Sequence, residues 1–337
     1  MVDRERCQWL GRFLGELRFP EARIIDAPGD LHSPDLRMLL FIVVAICHQT
    51  SPVGKPRLEG MVNGVFRYGW DYLREKWLDA VRADPYILGR EWLVTAEAGD
   101  VVTILHDRER GSTISDPKGR AELLRDIGVK MYKDGVRHVD EYYDKSGGWL
   151  KDRVGREGLE SMLSRFDAYG RDPVKKKLSL FLILMRRYGF WDYPDIKNLG
   201  GPVDYHEIRL HLRLGTVRII DPRLREKIYS GSVLTEEEDI AIRLAVHGAI
   251  SEIAAASGRT PADVHNLDWN IARNCCRRDE THCLRCGEHP SLPPGYLDLL
   301  PRVPHEGRSC VFADYCASRA LPHSEKPKEP VVDTDLY

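Results

Sequence analysis

Six of the eight cysteines in this chain lie between Cys275 and Cys316. They run Cys276-x6-Cys283-x2-Cys286, then, past a proline-rich insert, Cys310-x5-Cys316, with Cys275 directly ahead of the group. Four thiolates brought together from two short turns are the donor set of a tetrahedral metal centre or an iron–sulfur cluster. Thiols stay reduced in a cytoplasmic protein, and the rest of the chain needs no stapling. These cysteines are therefore expected to hold metal rather than form disulfides. The stretch Leu267-Asp268-Trp269-Asn270-Ile271-Ala272-Arg273-Asn274 before them reads as the end of a helix that delivers the first ligand.

A second constellation starts at Asp204, between Gly200-Gly201-Pro202-Val203 and Tyr205-His206-Glu207-Ile208-Arg209-Leu210-His211-Leu212-Arg213-Leu214-Gly215. A carboxylate at a helix start accepts backbone N–H bonds and stays ionised. It is either a plain N-cap or a fixed negative charge available for chemistry.

The elements that must position these groups are mostly helices. Apolar runs predict helices over 34–48 and, amphipathically, over 58–81, then over 119–135, 159–165, 174–188 and 204–214. Val101-Val102-Thr103-Ile104-Leu105 is strand-like and Gly111-Ser112 turn-like, so a small hairpin is expected near 100–115. Thr235 with Glu238 is a capping box ahead of Ile242, Val246, Ile250 and Ile253, and Thr260-Pro261 with Asp263 opens the helix that runs into the cysteines. An irregular loop is expected over 290–304 and a disordered tail over 321–337.

The formal net charge is −2, which demands no polyanionic partner. Arg171, Lys175, Lys176, Lys177, Arg186 and Arg187 nevertheless cluster against one acid, Asp172. Such a stretch either meets phosphates or is a solvated helix face. The most apolar run, Met38–Cys47, reads as a buried helix, so no membrane span is expected. The charged start, Met1–Arg6, has no apolar segment behind it, which predicts a cytoplasmic protein without a signal peptide.

Asp204, His206, Arg209 and Arg213 resemble the Val-Asp-Thr-His…Arg…Arg motif of the helix-hairpin-helix DNA glycosylases, the endonuclease III and adenine glycosylase group. Phe41-Ile42-Val43-Val44-Ala45-Ile46-Cys47-His48-Gln49-Thr50-Ser51 resembles that family's early helix, and the cysteines resemble its C-terminal Cys-x6-Cys-x2-Cys-x5-Cys cluster. The resemblance implies a catalytic role for Asp204, which would stabilise the sugar cation as the base departs and orient the nucleophile. It places Gln49, next to His48, at the gap left by a flipped base. It implies a [4Fe–4S] cluster on Cys276, Cys283, Cys286 and Cys316, with Cys310 as a substitute; zinc is the alternative. Cys286 and Cys316 stand much further apart than the family's last spacing, and an insertion splits the loop. The family's lysine nucleophile follows a glycine-rich hairpin that is not readable here. The equivalent stretch, Val174-Lys175-Lys176-Lys177-Leu178-Ser179-Leu180-Phe181, offers Lys177 as the candidate. A nucleophilic amine must be desolvated, and at most one of three adjacent lysines on a helix faces inward.

A second resemblance runs from about residue 40 to 275. Gly69-Trp70-Asp71-Tyr72-Leu73, Asp172-Pro173-Val174-Lys175-Lys176-Lys177, Val203-Asp204-Tyr205, Leu212-Arg213-Leu214-Gly215, Leu224-Arg225-Glu226-Lys227-Ile228, Glu238-Asp239-Ile240-Ala241-Ile242-Arg243 and Leu267-Asp268-Trp269 are similar, in order, to motifs of the queuosine salvage nucleosidases. That family lacks the cysteines and releases a 7-deazaguanine base from a nucleoside or its monophosphate. Phe66, Tyr68, Trp70 and Tyr72 are candidates to stack on a base, at least two of them being core if the segment is helical. Trp269 either lines the pocket with Asp268 or packs helices.

The sequence thus predicts an all-α, two-lobed glycosylase-like fold with one small hairpin. Its parts are an N-terminal lobe (1–170), a catalytic core (171–275), a metal module (276–320) and the tail. The expected activity is N-glycosylase action on a modified or damaged base in DNA, with Asp204 and Lys177 catalytic and with His48, Gln49, Trp70, Tyr205, His206, Arg209, Asp268 and Trp269 binding substrate. The alternatives are a queuosine-type nucleosidase acting on a free nucleoside or nucleotide, and a nucleic-acid-binding protein without catalysis.

Overall fold

The computed structural model describes residues 1–19, 32–111, 113–286, 292, 294–303 and 307–337. Helices dominate: α1 (Arg4–Glu16), α2 (Ser33–Ala45), α3 (Gly69–Ala83), α4 (Arg90–Leu93), α5 (Ala98–Ile104), α6 (Pro117–Lys133), α7 (Asp140–Ser146), α8 (Leu159–Leu163), α9 (Asp167–Gly170) and α10 (Lys176–Arg187). They continue with α11 (Tyr205–Leu214), α12 (Pro222–Ser230), α13 (Glu236–Ser257), α14 (Pro261–Asn274) and the short α15 (Pro294–Leu297). Two antiparallel hairpins complete the described elements, β1 (Glu59–Val62) with β2 (Val65–Tyr68) and β3 (Arg302–Val303) with β4 (Gly307–Arg308). The protein is all-α apart from these hairpins.

The chain divides into two compact units, one formed by Met1–Arg23 with Leu199–Asp333 and the other by Ile24–Asn198 with Thr334–Tyr337. These bounds differ from those expected of the sequence. In the first unit α1 lies along α13. A Cβ on Gly11 would stand 2.5 Å from the Ala256 Cβ and 2.8 Å from the Ile253 carbonyl, so glycine lets the two backbones close up. The second unit is built around α2, buried on every side from Met38 to Ala45, as a helix apolar all round must be. Phe41 stacks on Tyr169 (5.0 Å between centroids) and meets Phe166 and Phe181 at 5.2 and 5.3 Å. The segment 171–198, expected in a catalytic core with Asp204, thus belongs to the lobe of α2.

The larger hairpin is not where the sequence analysis placed it. Val101–Ile104 is helical, because Glu97 and Asp100 form a capping box that starts α5 and overrides the β-branched run. Asp107 and Gly111 make one isolated bridge there, and Ser112 lies outside the described residues. The hairpin sits at 59–68, inside a stretch expected to be helical. Asn63 and Gly64 turn it, both in the left-handed region (φ 49° and 76°), as a two-residue turn that matches strand twist requires. Asp107 anchors it, accepting from the Met61 N–H at 2.7 Å.

The longest helix and the C-terminal tail both bear on the sequence reading, and the second is corrected. At 22 residues α13 is long and apolar enough to cross a membrane by length and composition, with a mean hydropathy of 1.3 over its best window. It opens on Glu236, Glu237, Glu238 and Asp239 and buries Ile242, Val246, Ile250 and Ile253 in its own unit. The tail over 321–337 is folded. Within the first unit Glu329 is buried between Arg209 and Arg278, the Pro327 carbonyl accepts from Arg213 Nε at 3.0 Å, and Leu234 N–H donates to the Val331 carbonyl at 2.8 Å. Within the second, Leu336 and Tyr337 are buried. Glu329 offsets the charge of buried Arg209 and the Pro327 carbonyl accepts from buried Arg213, roles the tail's composition does not display. The loop expected over 290–304 falls partly outside the described residues; the described part holds α15 and β3.

Candidate functional site

In the first unit Asp204 is the N-cap of α11. Its Oδ1 accepts from the His206 N–H at 2.7 Å, and its own N–H donates to Glu207 Oε2 at 3.0 Å, closing a capping box. The backbone on its other side is pinned as well, since the Val203 carbonyl accepts from Arg243 Nε and Nη2 at 3.3 and 3.2 Å. Gly201 lets the same stretch close up on α14, as a Cβ there would lie 2.8 Å from the Pro261 carbonyl. A half-buried carboxylate is thus held at the positive end of a ten-residue helix, where anions are favoured.

Beside it stand three half-buried rings. Tyr205 and His206 are 4.4 Å apart between centroids, and Trp269 meets His206 edge-on at 6.0 Å. The guanidinium of Arg278 lies over Tyr205 at 5.7 Å and that of Arg273 over Trp269 at 4.9 Å. Desolvation is the largest influence on His206 and pulls its pKa down to about 3, so the ring is neutral. Arg209 Nη2 lies 3.0 Å from His206 Nδ1 and can only donate, which puts the ring proton on Nε2.

Four residues of the expected set therefore converge: Asp204, Tyr205, His206 and Trp269. Two others do not offer themselves to a ligand. Arg209 is buried and donates to the Cys276 carbonyl (2.7 Å), the Ala272 carbonyl (2.9 Å) and Glu329. Asp268 is buried against His211 Nε2 at 3.1 Å, with His211 Nδ1 in turn 2.7 Å from Thr216 Oγ1. Both make internal ties, where the sequence led us to expect substrate contacts. Sequence reasoning missed Glu207, whose Oε1 lies 2.9 Å from His265 Nδ1 and whose carboxyl burial pushes up to about 7. The Asp-x-x-Glu spacing of a capping box was the available signal.

At the other end of the same fabric, α14 delivers Cys275 and Cys276. Adjacent residues at a helix end project about 100° apart. Cys276 faces Arg213, whose Nη1 lies 3.3 Å from its Sγ, while Cys275 is disulfide-bonded to Cys286. This pairing sets Cys286 against Cys275, where the sequence led us to expect a ligand and no disulfide. Cys310 stands beside the remaining thiols: its N–H donates to the Cys283 carbonyl at 2.7 Å, and Cys276, Cys283 and Cys316 all act on its thiol. Burial first and the neighbouring thiols second raise Cys310, and the same causes push Cys316 up to about 11. Lys326 Nζ stands 3.7 Å from the Cys283 Sγ, and Cys316 Sγ lies 3.4 Å from the Arg213 carbonyl. Among the described residues no three His, Cys, Asp or Glu side chains are placed to hold a single metal ion. The donor chemistry fits a thiolate-bound group: four neighbouring cysteines, with a guanidinium and an ammonium each aimed at a sulfur.

In the second unit the other expected residues gather at the end of α2. Lys177 is buried, its Nζ donating to the carbonyls of Ala45 (2.8 Å) and Asp335 (2.7 Å) and lying 3.4 Å from His48 Nδ1. Desolvation lowers its pKa to about 7. Arg120 donates to the carbonyls of Ile46 and His48. Two buried cations thus satisfy the open carbonyls that every helix C-terminus leaves. Lys176, expected on the surface, is also buried, 3.5 Å from the Cys47 Sγ. His48 is buried and held neutral by desolvation and nearby cations. Gln49 is half-exposed on a left-handed backbone (φ 44°), its N–H donating to the Tyr337 carbonyl at 3.1 Å. Trp70 is half-buried in the first turn of α3, Tyr72 is core, and Phe66 and Tyr68 are exposed on β2. No protein-family model matches the chain, and no curated protein matches it.

Proposed function

We propose that the chain is an N-glycosidase with a glycosylase-like two-lobed fold, hydrolysing the bond between a modified or damaged base and its sugar in DNA. The observation that carries the reading is Asp204: a carboxylate locked on both sides of its backbone, at a helix N-terminus, beside the rings of Tyr205, His206 and Trp269. Departure of the base leaves positive charge on the sugar. A carboxylate already in place offsets that charge without reorganising. The rings offer π-faces for the extruded base, and Asp204 is the group to orient water at the sugar carbon. Lys177 has its amine on three internal acceptors, which favours hydrolysis by water over a lysine-bound intermediate.

Cys276, Cys283, Cys310 and Cys316 would hold the metal group. A [4Fe–4S] cluster binds each thiolate at a different iron, and these four cysteines neighbour one another. Bound there, it would supply a rigid, charged anchor for the C-terminal module; zinc is the alternative.

A free modified nucleoside, of the queuosine type, is the second reading. It is favoured by Arg209 and Arg213, both spent on internal acceptors rather than offered to phosphates. Mass spectrometry of bases released from modified DNA and from a nucleoside panel separates the two. Release from neither substrate by the metal-loaded chain rejects the enzyme. DNA binding without release points to the non-catalytic alternative.

A further inference from the structure

The hairpin of β1 and β2 presents a face that the site above does not use. Its register sets Glu59 opposite Tyr68 and Met61 opposite Phe66, so these four side chains share one side of the ribbon. Met61 is 43 %, Phe66 40 % and Tyr68 40 % exposed, while on the other side Val62 is buried. Aromatics two apart on a strand stand side by side, unlike the helical arrangement expected for this segment. The platform is stiff. Asn63 and Gly64 make its turn, Asn63 Nδ2 reaches both oxygens of Asp79 on α3 at 3.3 Å, and Asp107 holds the Met61 N–H from behind.

Two guanidiniums lie on the rings. Arg57 sits 4.3 Å from the centroid of Tyr68 and Arg110 5.1 Å from that of Phe66. Both pair with Glu59, at 2.6 and 2.7 Å. Arg57 and Arg110 thus set two cations against the one acid of this face, in a chain whose net charge is −2. Exposed rings interleaved with arginines are what a flexible polyanion with π-faces needs: bases stack on rings and guanidinium planes, and phosphates take the charge. An apolar protein surface would leave these charges desolvated.

We infer that the outer face of this hairpin binds single-stranded DNA, with unpaired bases stacking at Phe66 and Tyr68 and phosphates replacing Glu59 on Arg57 and Arg110. The inference rests on the reading that the chain acts on DNA, and names a contact for strand outside the catalytic carboxylate.

The test is fluorescence anisotropy of the full chain with a labelled single-stranded DNA of about 20 nucleotides, long enough for the site sizes of such platforms. Wild type is expected to bind, with affinity falling as salt rises. The exposed pair Phe66→Ala/Tyr68→Ala should weaken binding by at least about tenfold, the loss of stacked bases. Glu59→Gln, which removes the competing carboxylate and leaves the rings, should tighten it. Wild type that ignores the DNA, or prefers RNA of the same sequence, overturns the inference. So does a double variant that binds like wild type, or a Glu59→Gln variant that binds no better. Base release depends on Asp204 and is read separately, so either idea can fail while the other stands.

Discussion

Glu329 offers the sharpest test of the first unit, because it turns a stretch that reads as solvent-exposed tail into part of the core. Its carboxylate is buried between Arg209 and Arg278. Arg209 Nη1 has Glu329 as its acceptor, whereas Nε and Nη2 have the carbonyls of Cys276 and Ala272. Glu329→Ala leaves the guanidinium buried with part of its hydrogen bonding intact and its countercharge gone. Breaking one side of such a pair costs about 3–5 kcal/mol. Glu329→Gln keeps an acceptor oxygen and should cost less, about 1.5–3 kcal/mol, the worth of a charged hydrogen bond. Two compact units need not unfold together. Amide hydrogen exchange of α11 therefore reports the opening of this unit by itself. At about 1.4 kcal/mol per decade, Glu329→Ala should speed exchange by roughly two to three and a half orders of magnitude. Replacing both partners, as Arg209→Met/Glu329→Leu, should recover most of the loss, since an apolar pair of similar volume carries no unpaired charge. Exchange within about fivefold of wild type in Glu329→Ala would show that 321–337 is not built into the fold and that Arg209 is compensated elsewhere.

Asp204→Asn keeps the cap but removes the charge, and should lower base release at least about a hundredfold with binding retained; near-wild-type release removes Asp204 from the mechanism. Glu207 is raised to about 7 by burial, among Asp204, Asp268 and His265, from an ordinary 4.5. Its folded state holds a proton that the unfolded state gives up, so its contribution is full below about pH 4.5 and is lost as pH rises to about 7, on the order of 3 kcal/mol. Glu207→Gln should flatten that decline in stability scans, and an unchanged slope refutes the assignment. Cys310→Ser should lower bound iron or zinc in metal and sulfide analysis, and Cys286→Ser should not; the reverse result restores Cys286 as a ligand. Borohydride should trap no covalent adduct between Lys177 and abasic DNA, and a band lost in Lys177→Gln would establish lyase chemistry.

What the sequence displayed were features decided by a few neighbouring residues. The capping boxes at Thr235 with Glu238 and Thr260 with Asp263 are present, and α11 starts at Asp204. The β1–β2 hairpin was hidden because Leu58–Val81 also satisfies a helical pattern; Asn63-Gly64, the strongest local turn signal, carried the answer. Cysteine spacing favoured Cys286, two residues past Cys283. Which thiols neighbour one another depends on where the chain returns after residue 309, and spacing carries no information on that. Nor does composition reveal that Lys177 and Arg120 cap α2, or that Glu329 completes Arg209. Each is a long-range pairing of a buried charge with an acceptor far along the chain.

The long-range pairings of the first unit converge on one helix. The N-terminus of α11 fixes Asp204, and one helical turn apart on its body Arg209 and Arg213 reach the end of α14, Arg209 through the Cys276 carbonyl and Arg213 through its sulfur. The arginines that resemble part of a substrate motif thus act as struts between the carboxylate and the cysteines. A metal group on Cys276 would hold the strut's far end, so its loss should loosen α11 before it disturbs α2 or α10, which belong to the other unit. Placing the carboxylate on such a strut has a physical logic. Electrostatic stabilisation of a sugar cation depends on the charge not moving as the base leaves. A helix end tied down only by its own cap would fray, whereas this one is also held by Arg243 through the Val203 carbonyl.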